Sequence, residues 1–161
     1  MAVDAFLKLE KIDGESQDEK HANEIDILAW SWGMSQSGSL HEGGGGGVGK
    51  ANVQDLSVTH WVDKSMPNLM KALAQGTHIP TGTLTCRKAG DKSLEFLIVE
   101  LKDILVTSVS TGGSGGEDRF TVNTTLNFRE VELKYQPQNK DGAKDGGEIL
   151  FKGNMAENKY G

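Results

Sequence analysis

Ile25-Asp26-Ile27-Leu28-Ala29-Trp30-Ser31-Trp32-Gly33-Met34-Ser35-Gln36-Ser37 alternates between two kinds of side chain. One face of an extended chain here carries Leu28, Trp30, Trp32 and Met34; the other carries Ala29, Ser31, Gly33 and Ser35. Successive side chains of a strand point to opposite faces, so the stretch predicts a half-buried strand, bulky toward a core and small and wettable on its other side. That small face must look at solvent, a cavity or a close partner.

The same period runs outward in both directions. Val3, Ala5, Leu7 and Leu9 share one face of a first strand, and the polar stretch 13–21 reads as a loop. After it, Val53–Val62 alternates without saying which face is buried. Two further strands are expected at Thr81–Lys88 and Ser93–Ser110, joined by a turn at Ala89–Lys92. A long last strand runs over Phe120–Tyr135, where the apolar set changes phase between Phe128 and Val131; a β-bulge near Arg129 or Glu130 would do this. A short strand at Ile149–Phe151 precedes a polar tail. One helix is signalled by Ser65 as N-cap, Pro67 in the first turn, an apolar stripe of Met66, Leu69, Met70 and Leu73, and Gly76 as the stop. The fold class is therefore mainly β: an antiparallel β-barrel or rolled sandwich with one flanking α-helix. It is expected as one domain over 1–161, with a polar loop at 136–147 and a tail at 152–161.

Charge narrows the function. Lys plus Arg number 17 against 23 Asp plus Glu, a formal net charge of −6. An acidic chain without a basic cluster is poorly suited to nucleic acid or anionic lipid. No stretch approaches the roughly 18 apolar residues of a membrane span. No secretory leader is visible at Met1–Phe6, and the single cysteine, Cys86, cannot form an internal disulfide, so a reducing compartment is expected.

Chemistry-bearing patterns are weak. Gly44-Gly45-Gly46-Gly47-Val48-Gly49-Lys50 matches the start of a phosphate-binding loop, but Ala51 stands where Ser or Thr must hold magnesium, and a strand pattern follows instead of a helix. His21, His41, His60 and His78 are scattered without ligand spacing. Neither a catalytic set, a cofactor nor a metal is expected.

Several stretches taken together resemble the haemolysin co-regulated protein family, the inner-tube subunit of type VI secretion systems. They are Ala29–Gly38, Asn52–Leu56, Lys64–Met70, Val109–Asp118 and Tyr135–Gln138 followed by Asp141–Gly147. The resemblance implies a non-enzymatic homohexameric ring that stacks into a tube and is secreted. Its implied partners are further copies of the chain, effector proteins carried in the lumen, and the sheath and spike of the apparatus. Within that frame, Ala29, Ser31 and Gly33 are candidates for a lumen-facing, cargo-contacting surface; covering a neighbouring subunit or the helix would explain the same periodicity. Gly43, Gly44, Gly45, Gly46, Gly47 and Gly49 are candidates for a loop that orders when rings stack, because a glycine run loses the most backbone entropy on ordering. The competing reading is a monomeric barrel that holds a small ligand.

Overall fold

Two long strands, β9 (Glu95–Gly112) and β10 (Thr121–Tyr135), form an antiparallel spine on which the rest is built. The computed structural model describes residues 3–39, 47–48, 50–89 and 93–161. Preceding the spine are β1 (Val3–Leu9), β2 (Ile25–Ser31), β3 (Met34–Ser35), β4 (Gly38–Ser39), β5 (Gly47–Val48), β6 (Asn52–Val53), β7 (Leu56–Trp61), α1 (Ser65–Gln75) and β8 (His78–Lys88); β11 (Ile149–Asn154) and β12 (Lys159–Tyr160) follow it. Six strands close in the order β10-β7-β2-β1-β8-β9 into an antiparallel barrel. The mainly β fold with one helix is thus as the alternation predicts.

β10 serves two neighbours on the same side. Thr121–Leu126 pairs with β7, while Glu130–Tyr135 pairs with β11, which carries β12 on its outer edge. The phase change between Phe128 and Val131 is present, opposite Asp103, whose φ is 55°. The slip in register lies elsewhere than expected, between Thr125 and Leu126, where β9 spends an extra residue at Thr107. Leu7, Ile25, Leu56, Leu84, Leu101, Ile104 and Leu126 fill the interior, and each such side chain gains roughly 1.5–3 kcal/mol by leaving water.

Four readings need correction. The strand that begins at Ile25 stops at Ser31, because a bulge at Leu28 and the departure of a narrow two-stranded arm interrupt it. In consequence Leu28 and Met34 are 47% and 40% exposed, while Trp30 and Trp32 pack against the core. Ser65 does not cap the helix: Lys64 holds the N-cap position without a side-chain bond, and Asp63 Oδ1 accepts both the Ser65 N–H and its hydroxyl. The helix buries Leu69 and Ala72, whereas Met70 and Leu73 are partly exposed. Finally, the tail is no tail: β11 reaches Asn154 and β12 returns along it. Gly76 ends the helix as expected, at φ 64°.

The pairings β3–β6 and β4–β5 make up the arm. Gly47 falls in β5, while Gly43, Gly44, Gly45, Gly46 and Gly49 lie outside the described residues, as does most of the turn at 89–92.

Candidate functional site: a polar sheet face with two free edges

One face of the barrel wall is made by β2, β7, β10 and the second half of β9. Cross-strand partners share a face, so the registers read out its rows directly. Ser31, Ser57, Thr125 and Ser108 form one row; Ala29, Thr59, Asn123 and Ser110 form the next; Trp61, Thr121 and Gly112 form a third. The opposite face of the same strands carries Trp30, Val58, Thr124 and Val109 toward the interior. Hydroxyl and amide groups of neighbouring strands bind one another on this face. Thr59 Oγ1 donates to Asn123 Oδ1 at 2.7 Å, Ser108 and Thr125 share a bond of 2.6 Å, and Asp55 accepts from Thr107 at 2.7 Å and Asn127 at 2.9 Å. A shallow depression of about 370 Å³ over Ala29, Ser31, Ser57, Thr59 and Asn123 opens on this face.

The edges of this sheet are unpaired on both sides among the described residues. β1 pairs with β2 only through Ile25–Ile27, so Leu28–Ser31 offers its backbone outward. β8 pairs with β9 only as far as Leu105, so Thr107–Gly112 does the same on the other side. Every pairing in the sheet is antiparallel; with four strands, β2 and β9 therefore run in opposite directions. Exposed edges of this kind are a template for pairing with another chain.

Two of the three candidate residues are brought together here: Ala29 and Ser31 are exposed in adjacent rows. Gly33 is not in a row. It sits at the root of the arm, where its carbonyl accepts from the Gln54 N–H and an added Cβ would lie 3.2 Å from Gln54 Oε1. Ser57, Thr59, Asn123, Thr125, Ser108 and Ser110 were not singled out in the sequence; the alternation of hydroxyl residues in Val53–Val62 was the available signal, and burial of Leu56, Val58 and His60 settles its orientation.

The rows hold neither histidine nor cysteine. Cys86 lies in the core, and burial pushes its thiol up, away from nucleophilic thiolate. The described residues that follow the glycine run lead into β6, where a phosphate loop would need the N-terminus of a helix.

The family described as "Type VI secretion system effector, Hcp" matches residues 6–135. The chain is 62% identical over 159 residues to Protein hcp1 of Pseudomonas aeruginosa, covering 98% of each. It is similar to the crystal structure of Hcp1 from Salmonella typhimurium, at 39% identity, 99% coverage of both chains and a TM-score of 0.83. A structure described as a type six secretion system protein superposes with a TM-score of 0.92 at 32% identity, over 99% of this chain and 100% of the other.

Proposed function

This chain belongs to the Hcp family of type VI secretion systems, whose members are structural, secreted tube subunits and not enzymes, and from that premise we propose how its copies join and what their lumen does. Six copies of a family member make a ring. Here the free β9 edge at Thr107–Gly112 of one copy pairs antiparallel with the free β2 edge at Leu28–Ser31 of the next. Such head-to-tail contacts close into a ring when the rotation per copy allows it. The single observation that carries this is the four-stranded sheet with unpaired edges on opposite sides and a hydroxyl-rich face between them.

Closing the ring through those edges turns the rows of Ala29, Ser31, Thr59 and Asn123 inward. The lumen is then lined with small hydroxyl and amide groups, able to hydrogen-bond a folded effector protein without a sticky apolar surface. Asp55 is held by its neighbours on the same wall. Stacking falls to the arm, with Gly43–Gly49 ordering against the next ring; the sheath and spike of the apparatus act on the outside and the end of the tube. Assembly takes place in the cytoplasm, and the chain leaves with the tube. No helix among the described residues is long and apolar enough to cross a membrane.

The test is the solution mass of the purified protein by light scattering after size exclusion, with negative-stain images of the peak. A hexamer with an open centre is expected. A clean monomer at high concentration would overturn the assembly and favour a ligand-binding barrel.

A further inference from the structure

Leu7 and Leu9 of β1 belong to the core, so Phe6, one residue out of phase with them, stands on the outer face of the barrel. It is nevertheless only 5% exposed, because polar groups are laid over it. His21, from the loop between β1 and β2, stacks flat on the ring, with centroids 4.5 Å apart and planes 9° from parallel. The Arg87 guanidinium of β8 stands 5.0 Å from the ring centre.

His21 is itself buried, and both of its ring nitrogens meet carboxylates. Nδ1 lies 2.9 Å from Glu24 Oε2 in the same loop, and Nε2 lies 2.8 Å from Glu95 Oε1 at the start of β9. A neutral imidazole has one N–H and one bare lone pair, while a carboxylate only accepts. With a single proton on the ring, one of these two contacts would set lone pair against lone pair. Both bonds form together when the ring carries both protons, as an imidazolium, and both are then charge-assisted. The neighbouring charges favour that form. The charged groups that meet on this ring stack are Glu24 and Asp18 from the loop, Glu95 from β9, Asp4 from β1 and Arg87 from β8: four carboxylates to one guanidinium. Arg87 is already shared by Asp18 and Asp4, which leaves Glu24 and Glu95 to His21.

We propose that His21 is a proton-operated clasp: doubly protonated, it fastens the 13–24 loop to β9, and on losing a proton it lets Glu95 go. β8 lies between β1 and β9 in the wall, so the closed clasp carries the loop across three strands. The Arg87 guanidinium keeps its charge at every pH a folded protein meets, so the hold on Asp18 persists when the clasp opens. What loosens is the far side of the loop, where the Asn23 N–H donates to the Ser16 carbonyl and the Glu24 N–H to that of His21. A histidine ordinarily changes charge between pH 5 and 8, and protonation of this kind is a known way to bias a bistable segment. The loop is therefore held more tightly in mildly acidic medium than in alkaline medium. The clasp lies within one copy and stands whether or not copies join.

The experiment follows the full-length chain from pH 5 to pH 9. Nitrogen NMR of histidine-labelled protein reads the ring, with the His21 signal assigned by its loss in His21→Gln. Hydrogen exchange, corrected for the intrinsic rate at each pH, reads the loop. Both His21 ring nitrogens should carry protons at the acid end and only one at the alkaline end. Protection of the Ser16 and Asn23 amides should fall by about tenfold across that same titration, while the core amide of Leu84 sets the global baseline. In Glu95→Gln the new amide can donate to a bare ring nitrogen or accept from a protonated one, so the contact should outlast the proton and loop protection should lose its pH dependence. The ring spectrum and the wild-type protection need no variant at position 95, so the test stands even if Glu95→Gln misfolds. A His21 ring in one protonation state throughout, loop protection that ignores the His21 titration, or a Glu95→Gln slope equal to that of the wild type would overturn the clasp.

Discussion

His60 Nε2 lies 3.0 Å from Thr124 Oγ1 inside the barrel, and His60 Nδ1 lies 3.2 Å from the Trp61 carbonyl oxygen. A carbonyl only accepts, so Nδ1 carries the proton and Nε2 accepts from the Thr124 hydroxyl. A neutral imidazole satisfies both partners. Burial accordingly holds the His60 pKa below its ordinary 6.5.

The sign of the pH effect follows. In the unfolded chain this histidine takes up a proton below pH about 6.5; in the folded chain it does so only at lower pH. The unfolded state then binds more protons, so stability falls as pH drops from about 6.5 toward the folded value. Denaturant unfolding at pH 7.5 and pH 5 should show this decline in the wild type and a shallower one in His60→Gln. At pH 7.5 the variant should be less stable by roughly 1–3 kcal/mol, the usual consequence of disturbing a buried hydrogen bond. An unchanged slope would remove His60 from the account.

Arg87 fastens the 13–24 loop to the outside of β1 and β8. Its guanidinium reaches Asp18 at 2.6 and 3.0 Å and Asp4 at 3.2 Å, and stands 5.0 Å from the centre of the Phe6 ring. Arg87 in turn holds the Asp18 carboxyl well below the usual carboxylate range. Lysine keeps the charge but not the planar fork. Arg87→Lys should therefore speed hydrogen exchange at the Gly14, Ser16 and Asn23 amides, which tie the loop together, by about tenfold. Core amides such as Leu84 should be unaffected. Equal acceleration everywhere would point to global destabilisation instead.

Gly14 is required by space. An added Cβ would come 2.5 Å from the Glu24 carbonyl oxygen and 2.7 Å from the Ile25 Cα, both backbone atoms that cannot swing aside. Gly14→Ala should cost about 1–3 kcal/mol in a denaturant titration, as overpacking does. Gly115→Ala meets nothing within 4 Å and should be close to neutral. Equal stabilities would mean that the loop closes over β2 less tightly than the structure has it.

The alternation of Val3–Leu9, Ile25–Ser31 and Thr121–Tyr135 made the barrel legible, because a buried wall imposes its period on each strand. What the residues concealed was where a strand leaves the wall. Trp32 and Met34 continue the phase of Trp30 perfectly, yet the chain turns into the arm after Ser31, and only the pairing of Met34 with Val53 reveals it. Ser31 was readable as a small residue on a wettable face. Its row-mates Thr125 and Ser108 were not, since they are distant in sequence and meet only through register. Lys152 to Gly161 looked like a polar tail because two-residue strands such as Lys159–Tyr160 carry no period at all.

Ser31 tests the lumen. Its side chain is exposed in the hydroxyl row, so Ser31→Trp adds bulk without displacing core atoms. Rings of wild-type mass are expected, and, if the row faces cargo, they should retain less of an effector protein co-expressed with them than wild-type rings do. Leu150→Trp, on a different wall, should retain it. Rings of Ser31→Trp that hold as much effector as wild type would show that this row does not face the cargo.

Trp32 tests the arm. Its indole N–H donates to the Gln54 carbonyl at 2.9 Å, its ring lies 6.2 Å from that of Phe128, and the Gln54 N–H returns a bond of 3.0 Å to the Gly33 carbonyl. The two ends of the arm are therefore tied to each other and to the barrel at one point, which sets the angle at which the arm projects. Trp32→Phe keeps an aromatic ring against Phe128 but removes the donor, at a stability cost of roughly 0.5–1.5 kcal/mol. If the arm joins successive rings, this variant should form hexamers of normal mass while its tubes, counted by negative stain at equal protein concentration, become shorter and fewer. Spin labels on Ser35 and Gln138 should report a broader distance distribution in the variant. A broadened distribution with unaltered tubes would leave the arm hinged at Trp32 but would take stacking away from it.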